Sequence, residues 1–146
     1  MRFEVHADGT VTDKQTALMW AQCSAGQTVV HGACVGEAAR LNWRSAAAFA
    51  DDVNLRGDLF YSDWRLPKLT ELATLAKRGC ARPRIDLVAF PATPPSVYWT
   101  ATRRPGTADA SFTDASFAYG LGFGEGGVAY FAKEEANAVR LVRSAR

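Results

Sequence analysis

The chain of 146 residues has the size of one domain, and its lack of a long apolar stretch excludes a predicted membrane-spanning helix. Its 17 basic and 15 acidic residues give a formal net charge of +2, which is too balanced for a protein dedicated to nucleic acid. Hydrophobic residues make up 48% and charged residues 22%, as in folded globular proteins. We therefore expect a single globular domain over residues 1–146, with neither nucleic-acid binding nor membrane insertion. No apolar signal segment opens the chain, so a secretory leader is not predicted within it.

The first predicted elements are short strands. Residues 3–5 alternate apolar and polar side chains, and the Asp-Gly pair at 8–9 predicts a turn. Segments 10–12 and 17–20 follow as two strands joined by a second turn. The N-terminus is therefore predicted to form antiparallel β-structure.

The three cysteines come next. Cys23 and Cys34 bracket a loop rich in small residues, whereas Cys80 stands alone. A short flexible loop closed by two cysteines indicates a disulfide, and disulfides form in oxidising compartments. Two reduced, buried thiols are the alternative. Zinc is disfavoured because the chain has no C-x-x-C motif and His31 is the only nearby imidazole.

Two helices are predicted in the middle of the chain. Asn42 is a favourable N-cap for a helix over residues 43–53, whose apolar side chains recur on one face at helical spacing. Pro67 precedes a second helix over residues 68–78, with Gly79 as its C-terminal cap.

The last half of the chain is predicted to be irregular and then extended. Residues 82–95 are rich in proline and are predicted to wrap the core, with apolar anchors at Ile85, Leu87, Val88 and Phe90. Four strands are predicted after them, at residues 98–102, 117–123, 128–131 and 138–143. Two helices between strands at both ends favour an α+β fold, in which the helices pack against one twisted antiparallel sheet.

A glycine motif in this region resembles a cofactor loop only in its spacing. Gly122, Gly124 and Gly127 match G-x-G-x-x-G. Dinucleotide binding requires a helix after the glycines, whereas strands are predicted on both sides. We therefore interpret the glycines as a hairpin and a bulge. No catalytic triad or acid–base pair of carboxylates is indicated, and we expect no enzymatic activity.

Two binding signals are weaker. Asp8 and Asp13 bound a segment similar to a calcium loop, but calcium needs several oxygens and the neighbouring positions lack further carboxylates. We therefore expect no cofactor, with calcium as the alternative. Arg103 and Arg104 belong to a group of basic residues that either carry scattered solvated charge or grip an acidic polysaccharide.

The strongest local signal is the D-W-R-L-P sequence at residues 63–67. Trp64 supplies a large apolar surface. Asp63 and Arg65 can satisfy each other or nearby backbone groups, and Pro67 starts the second helix. We interpret the segment as an internal brace, because a catalytic Asp–Arg pair would need a nucleophile or cofactor that the sequence does not show. The residues assigned a structural role are Trp20, Trp43, Asp63, Trp64, Arg65, Leu66, Pro67 and Trp99.

Several short segments, taken in their order along the chain, together form a pattern that is specific for one protein family. They are 8–13 (D-G-T-V-T-D), 16–20 (T-A-L-M-W), Cys23-Ser24 with Cys34, Trp43, 62–67 (S-D-W-R-L-P) with Glu71-Leu72, 85–86 with Phe90-Pro91, 98–100 (Y-W-T) and 139–143 (V-R-L-V-R). In these segments the chain resembles the bacterial Lcl C-terminal domain family over nearly its whole length. The resemblance implies a C-type-lectin-like fold, in which the N- and C-terminal strands pair and two helices pack on the sheet.

The resemblance also implies a function. Members of the family are typically exported bacterial proteins, lipoproteins or adhesin tips, and binding of sulfated glycosaminoglycans is known among them. We therefore expect a non-enzymatic recognition or adhesion domain, exported to the cell surface or periplasm, that binds a glycan or protein through loops 103–116 and 124–137. The candidate ligand-binding residues are Arg103, Arg104, Tyr119, Tyr130 and Lys133.

Three alternatives stay open. Related domains are the variable binding proteins of diversity-generating retroelements, but the segment after Trp99 lacks their richness in Tyr, Asn and Ser. A structural subunit of a surface assembly would be favoured by an exposed Cys80. An enzyme similar to the formylglycine-generating enzymes would need a reactive cysteine pair, whereas Cys23 and Cys34 suit a structural staple. Self-association also stays open. The chain has no collagen-like Gly-X-Y tract, so a trimer is not assumed.

Overall fold

Nine strands and two helices make up the described part of the chain in the computed structural model, which covers residues 1–77, 83–103, 116–124 and 127–145. The strands are β1 (Phe3–Val5), β2 (Thr10–Asp13), β3 (Leu18–Ala21), β4 (Thr28–Val30), β5 (Ala33–Val35), β6 (Val97–Arg103), β7 (Phe117–Gly122), β8 (Val128–Ala132) and β9 (Val142–Ser144). The helices are α1 (Trp43–Arg56) and α2 (Leu69–Ala73). The predicted α+β class is confirmed. No helix among the described residues is long and apolar enough to cross a bilayer.

The strands form three antiparallel sheets instead of the single predicted sheet. The first has the order β1-β2-β3-β9, so the C-terminal strand pairs with the N-terminal hairpin, with Trp20 opposite Val142. The second is the β4-β5 hairpin, and the third has the order β6-β7-β8. The predicted strand at 138–143 is shorter, because only its last residues pair continuously with β3.

The segment between the cysteines is a hairpin, where the sequence predicted a loop. Val30 pairs with Ala33 across a turn made by His31 and Gly32. Both turn residues have positive φ, 50° and 79°, as a two-residue turn of type I′ requires. The Val-Val-His-Gly sequence carries this signal, but the many small and polar residues around it favoured a loop.

Cys23 and Cys34 form the predicted disulfide, with a sequence separation of 11. We expect the double variant Cys23→Ser, Cys34→Ser to lose about 2–3 kcal/mol of unfolding free energy, because the cross-link restricts the unfolded chain. Urea denaturation with and without a reducing agent measures this loss. The reductant should destabilise the wild type to the level of the variant and leave the variant unchanged. A wild type insensitive to complete reduction would contradict the prediction.

Helix α1 begins where the sequence predicts and ends three residues later. The Asn42 side chain accepts a hydrogen bond from the Ser45 N–H at 2.8 Å, which caps the first turn. Gly57 ends the helix with φ 69°, and its N–H donates to the Val53 carbonyl. The buried residues of the helix are Ala46, Ala50 and Val53, and they pack in the second cluster of the core.

Helix α2 is much shorter than the predicted 68–78. The Thr74 hydroxyl donates to the Glu71 carbonyl at 2.6 Å, and the following turn tightens to i−3 hydrogen bonds. The Lys77 N–H then donates to the Arg84 carbonyl at 2.8 Å instead of continuing the helix. Tertiary pairing with the proline-rich stretch therefore overrides the local helical pattern. The predicted cap Gly79 lies outside the described residues.

The core consists of two clusters that meet along β3 and β6. Trp20 belongs to one cluster and Trp99 to the other, and both are fully buried. Ile85 and Phe90 are buried as predicted, but Leu87 and Val88 are 46% and 82% exposed. The reason for this error is local, because the Asp86 carboxylate accepts the N–H of Val88 and forms a tight turn that faces solvent.

Candidate ligand-binding surface

Three aromatic side chains form a ladder on one face of the β6-β7-β8 sheet. Tyr119 and Tyr130 lie directly opposite each other on β7 and β8, and their rings meet edge to face at 5.7 Å between centroids. Phe117 contacts Tyr130 in the same way at 6.3 Å. Strand alternation places these residues on one face, and cross-strand aromatic pairs stabilise such sheets. We call Phe117, Tyr119 and Tyr130 the aromatic surface.

The aromatic surface reaches solvent along β8, the edge strand of the sheet. Tyr130 is 45% exposed and Val128, beside it on β8, is 49% exposed, whereas Phe117 and Tyr119 are half-buried. Leu121 continues the same face toward the core and is buried. The strands thus carry a continuous row of apolar side chains from the core out to an accessible patch.

The opposite face of these strands is packed against the core. Trp99 makes an edge-to-face contact with Phe131 at 6.4 Å between ring centroids. Gly120 lies beside them, and a Cβ there would come within 2.7 Å of Val97 and 3.1 Å of Phe131. Only glycine lets Val97 and Phe131 pack this closely on β7, so the strand behind the aromatic surface is tightly packed.

The other candidate ligand-binding residues lie in different surroundings. Arg103 ends β6, where its backbone pairs with Ala118 on β7. Arg104 lies outside the described residues, as does Cys80. The Lys133 ammonium lies 4.1 Å from the centre of the Trp43 ring, and the backbone N–H of Trp43 donates to the Lys133 carbonyl. The structure therefore brings the two tyrosines together and places Lys133 against the start of α1.

The D-W-R-L-P segment contacts three elements. Trp64 is buried, and the Asn54 side chain from α1 bonds both its N–H and its carbonyl, at 2.8 and 2.9 Å. The Arg65 backbone exchanges two hydrogen bonds with Val142 at the start of β9. The Pro67 carbonyl accepts from the N–H of residue 101 on β6. Asn54 was not predicted, since an asparagine inside a helix gives no sequence signal for such a clamp.

The two charged residues of the segment do not pair with each other. The Arg143 Nε donates to Asp63 at 2.6 Å, and this hydrogen bond lowers the pKa of the Asp63 carboxyl. Arg65 instead holds Glu71 through two bonds of 2.8 and 2.9 Å. The segment thus ties β9 and α2 together through two separate ion pairs.

The family model of the Lcl C-terminal domain matches residues 9–143. The chain belongs to the Lcl C-terminal domain family. The matched range runs from the turn before β2 into β9, so it includes the brace and the aromatic surface. A search of curated proteins finds no significant match.

The Arg65–Glu71 pair gives this Lcl C-terminal domain a testable pH dependence. The hydrogen bonds from Arg65 lower the pKa of Glu71 in spite of its partial burial, so the folded state favours the carboxylate. This stabilisation is present above the unfolded pKa and is lost as pH falls through the folded pKa. We expect acidification from pH 7 to about 3 to cost the wild type about 1 kcal/mol more unfolding free energy than Glu71→Gln. Urea titrations at both pH values measure this difference, and parallel losses would contradict it.

A buried arginine is the main feature that the sequence analysis missed. Arg140 is 1% exposed, and no described carboxylate pairs with it. Its guanidinium donates to two carbonyl and two hydroxyl oxygens, which belong to Ala21, Gln22, Ser24 and Thr93. The guanidinium also lies 4.9 Å from the centre of the Phe90 ring. Burial lowers the pKa of Arg140, and the nearby Tyr98 opposes this effect. Residues 138–142 are all buried, and the apolar neighbours on both sides of Arg140 are the sequence signal that could have indicated its burial.

The two aspartates of the calcium hypothesis have other partners. Asp8 Oδ1 accepts from the Thr10 N–H and hydroxyl at 3.0 and 2.6 Å, which closes the turn before β2. Asp13 lies at the other end of β2, where Arg2 binds both carboxylate oxygens at 2.9 and 2.7 Å. Burial raises the pKa of Asp13, but hydrogen bonds from Arg2 and its neighbours outweigh it and lower the value. Within the described residues no three His, Cys, Asp or Glu side chains form a metal cluster, and calcium stays the untested alternative to the expected absence of a cofactor.

Proposed function

We propose that this Lcl C-terminal domain is a non-enzymatic recognition domain of an exported bacterial protein, with a C-type-lectin-like fold. Its ligand would bind the aromatic surface at the exposed β8 edge of the β6-β7-β8 sheet. The single observation that carries the proposal is the ladder of Phe117, Tyr130 and Tyr119 on a face that reaches solvent.

The chemistry of the surface supports recognition. Tyrosine combines a large apolar ring with a hydroxyl that forms hydrogen bonds, and it loses little conformational entropy on binding. Tyr119 and Tyr130 are already held against each other and backed by the packed core, so little ordering is needed. Aromatic residues of this kind dominate the binding energy of many interfaces.

An acidic glycan is the ligand class that we favour. The apolar C–H face of a sugar ring can pack on a tyrosine ring, while its hydroxyls reach the phenolic oxygens. Arg103 ends the strand next to β7, and Arg104 follows it in the sequence. Arginine binds carboxylate and sulfate in a bidentate manner, which would add charge recognition to stacking.

Export is supported by the disulfide. Cys23 and Cys34 are bonded in the structure, and such bonds persist outside the reducing cytosol. We therefore place the domain at the cell surface or in the periplasm.

Screening the purified domain on an array of neutral, carboxylated and sulfated glycans, with and without calcium, tests this function. We expect retention of acidic glycans, with little change when calcium is chelated. On a heparin column the double variant Arg103→Ala, Arg104→Ala should elute at lower salt than the wild type. Unchanged elution would exclude these arginines, and a wild type that retains no glycan would contradict the glycan proposal and leave a protein ligand to be tested.

A further inference from the structure

A cleft of about 500 Å³ forms a second candidate binding surface. It shares no residue with the aromatic surface. Its lining combines apolar side chains, among them Val29 from β4 and Phe49 and Val53 from α1, with polar residues of the segment 24–28. Leu141 is a buried lining residue, whereas Asp8 and Asp58 are exposed and form the lip of the cleft. We call it the hairpin cleft.

The segments that line the hairpin cleft are held in place by the fold itself. Gly9 has φ 88°, and a Cβ there would lie 2.9 Å from Val29, so only glycine lets the turn approach the hairpin this closely. The Gly9 carbonyl also accepts the Gln22 N–H at 2.9 Å. The Cys23–Cys34 disulfide joins the β4-β5 hairpin to the segment after β3, and Cys23 itself lines the cleft. A preformed cavity of this kind lowers the entropic cost of binding.

The lip of the cleft is negatively charged. Asp8 and Asp58 both line it, and no lysine or arginine lines it in the described chain. The described hydrogen bonds of Asp8 use Oδ1 alone. The Asp58 carboxylate is paired with Arg56 at 2.9 Å, so the negative charge of the lip that a ligand can reach comes mainly from Asp8. An apolar cavity with an acidic lip complements a ligand that has an apolar stem and a positive end.

We propose that the hairpin cleft binds a lysine side chain of a partner polypeptide. The four-carbon stem would pack between Val29 and Phe49, and the ammonium would reach the Asp8 carboxylate at the lip. Lysine side chains bury their stems on apolar surfaces in this way while the charge stays in water. The inference is independent of the proposed glycan function, because it concerns a different surface and a protein partner.

The test uses the peptide acetyl-Leu-Lys-Leu-amide, titrated into ¹⁵N-labelled domain at low salt. We expect amide shifts at Gly9, Val29 and Leu59. The variant Asp8→Asn keeps the oxygen that caps Thr10, and we expect it to bind about twofold to fivefold more weakly. The matched control Asp52→Asn removes an exposed carboxylate of α1 that does not line the cleft, and should bind as the wild type does.

Two further arms separate the charge from the apolar contact. The same peptide with Nε-acetyllysine has lost its charge and should also bind more weakly. Val29→Ala removes methyl groups from the wall and should weaken binding about threefold. Equal binding of the acetylated peptide, no effect of Asp8→Asn, or shifts confined to other surfaces would overturn the proposal.

Discussion

The variant Arg140→Ala is expected to lose about 3–5 kcal/mol of unfolding free energy. It empties a buried volume and leaves the carbonyls of Ala21 and Gln22 without their donor. The desolvation cost of the buried charge disappears at the same time, which limits the loss. Urea denaturation followed by tryptophan fluorescence measures the effect, since Trp20 belongs to the adjacent core cluster.

Two other variants test the reason for this loss. Arg140→Met fills most of the volume without restoring the hydrogen bonds, so its stability should lie between those of the wild type and Arg140→Ala. Arg40 is exposed and donates one bond to Ser96, so Arg40→Ala should change stability by less than about 0.5 kcal/mol. A loss below about 1 kcal/mol for Arg140→Ala would show that the guanidinium does not organise this part of the core.

Replacing Trp64 by alanine is expected to cost about 3–5 kcal/mol, the usual range for a buried tryptophan. Trp64 packs in the second core cluster, and Tyr61 contacts its ring edge to face at 6.4 Å. Because Asn54 holds the backbone of Trp64, the chain cannot easily move to fill the cavity that the substitution leaves. Thermal and urea unfolding measure the loss.

Trp64→Phe keeps an aromatic ring at the site and should recover at least half of the lost stability. Phe60 is four residues earlier and 72% exposed, so Phe60→Ala should be nearly neutral. A Trp64→Ala variant as stable as Phe60→Ala would contradict the interpretation of residues 63–67 as a brace.

Local signals predicted the elements well where one residue decides the conformation. Asn42 was predicted to begin α1 through capping, which depends on nearest neighbours, whereas the end before Gly57 lies three residues beyond the predicted one. The end of α2 could not be predicted in this way, because the Lys77 N–H donates to the Arg84 carbonyl, a tertiary contact that no local pattern reveals. The β4-β5 hairpin was also missed, since its strands are only three residues long and carry little periodicity.

The candidate site was predictable only in part. Tyr119 and Tyr130 were named as candidates on the resemblance to the family, but their direct pairing depends on a register that the sequence does not reveal. The ion pairs of Asp63 and Arg65 were not predicted, because Glu71 and Arg143 reach them through tertiary packing. The hairpin cleft has contributions from three distant segments and has no motif of its own.

The recognition role of the aromatic surface is tested most directly by one affinity measurement. The strongest glycan from the array is titrated calorimetrically into the wild type, the double variant Tyr119→Ala, Tyr130→Ala, and the control Phe60→Ala. We expect the tyrosine variant, once shown to be folded by its unfolding curve, to bind at least about tenfold more weakly, and the control to bind as the wild type does. Equal affinity of the folded tyrosine variant and the wild type would contradict the account.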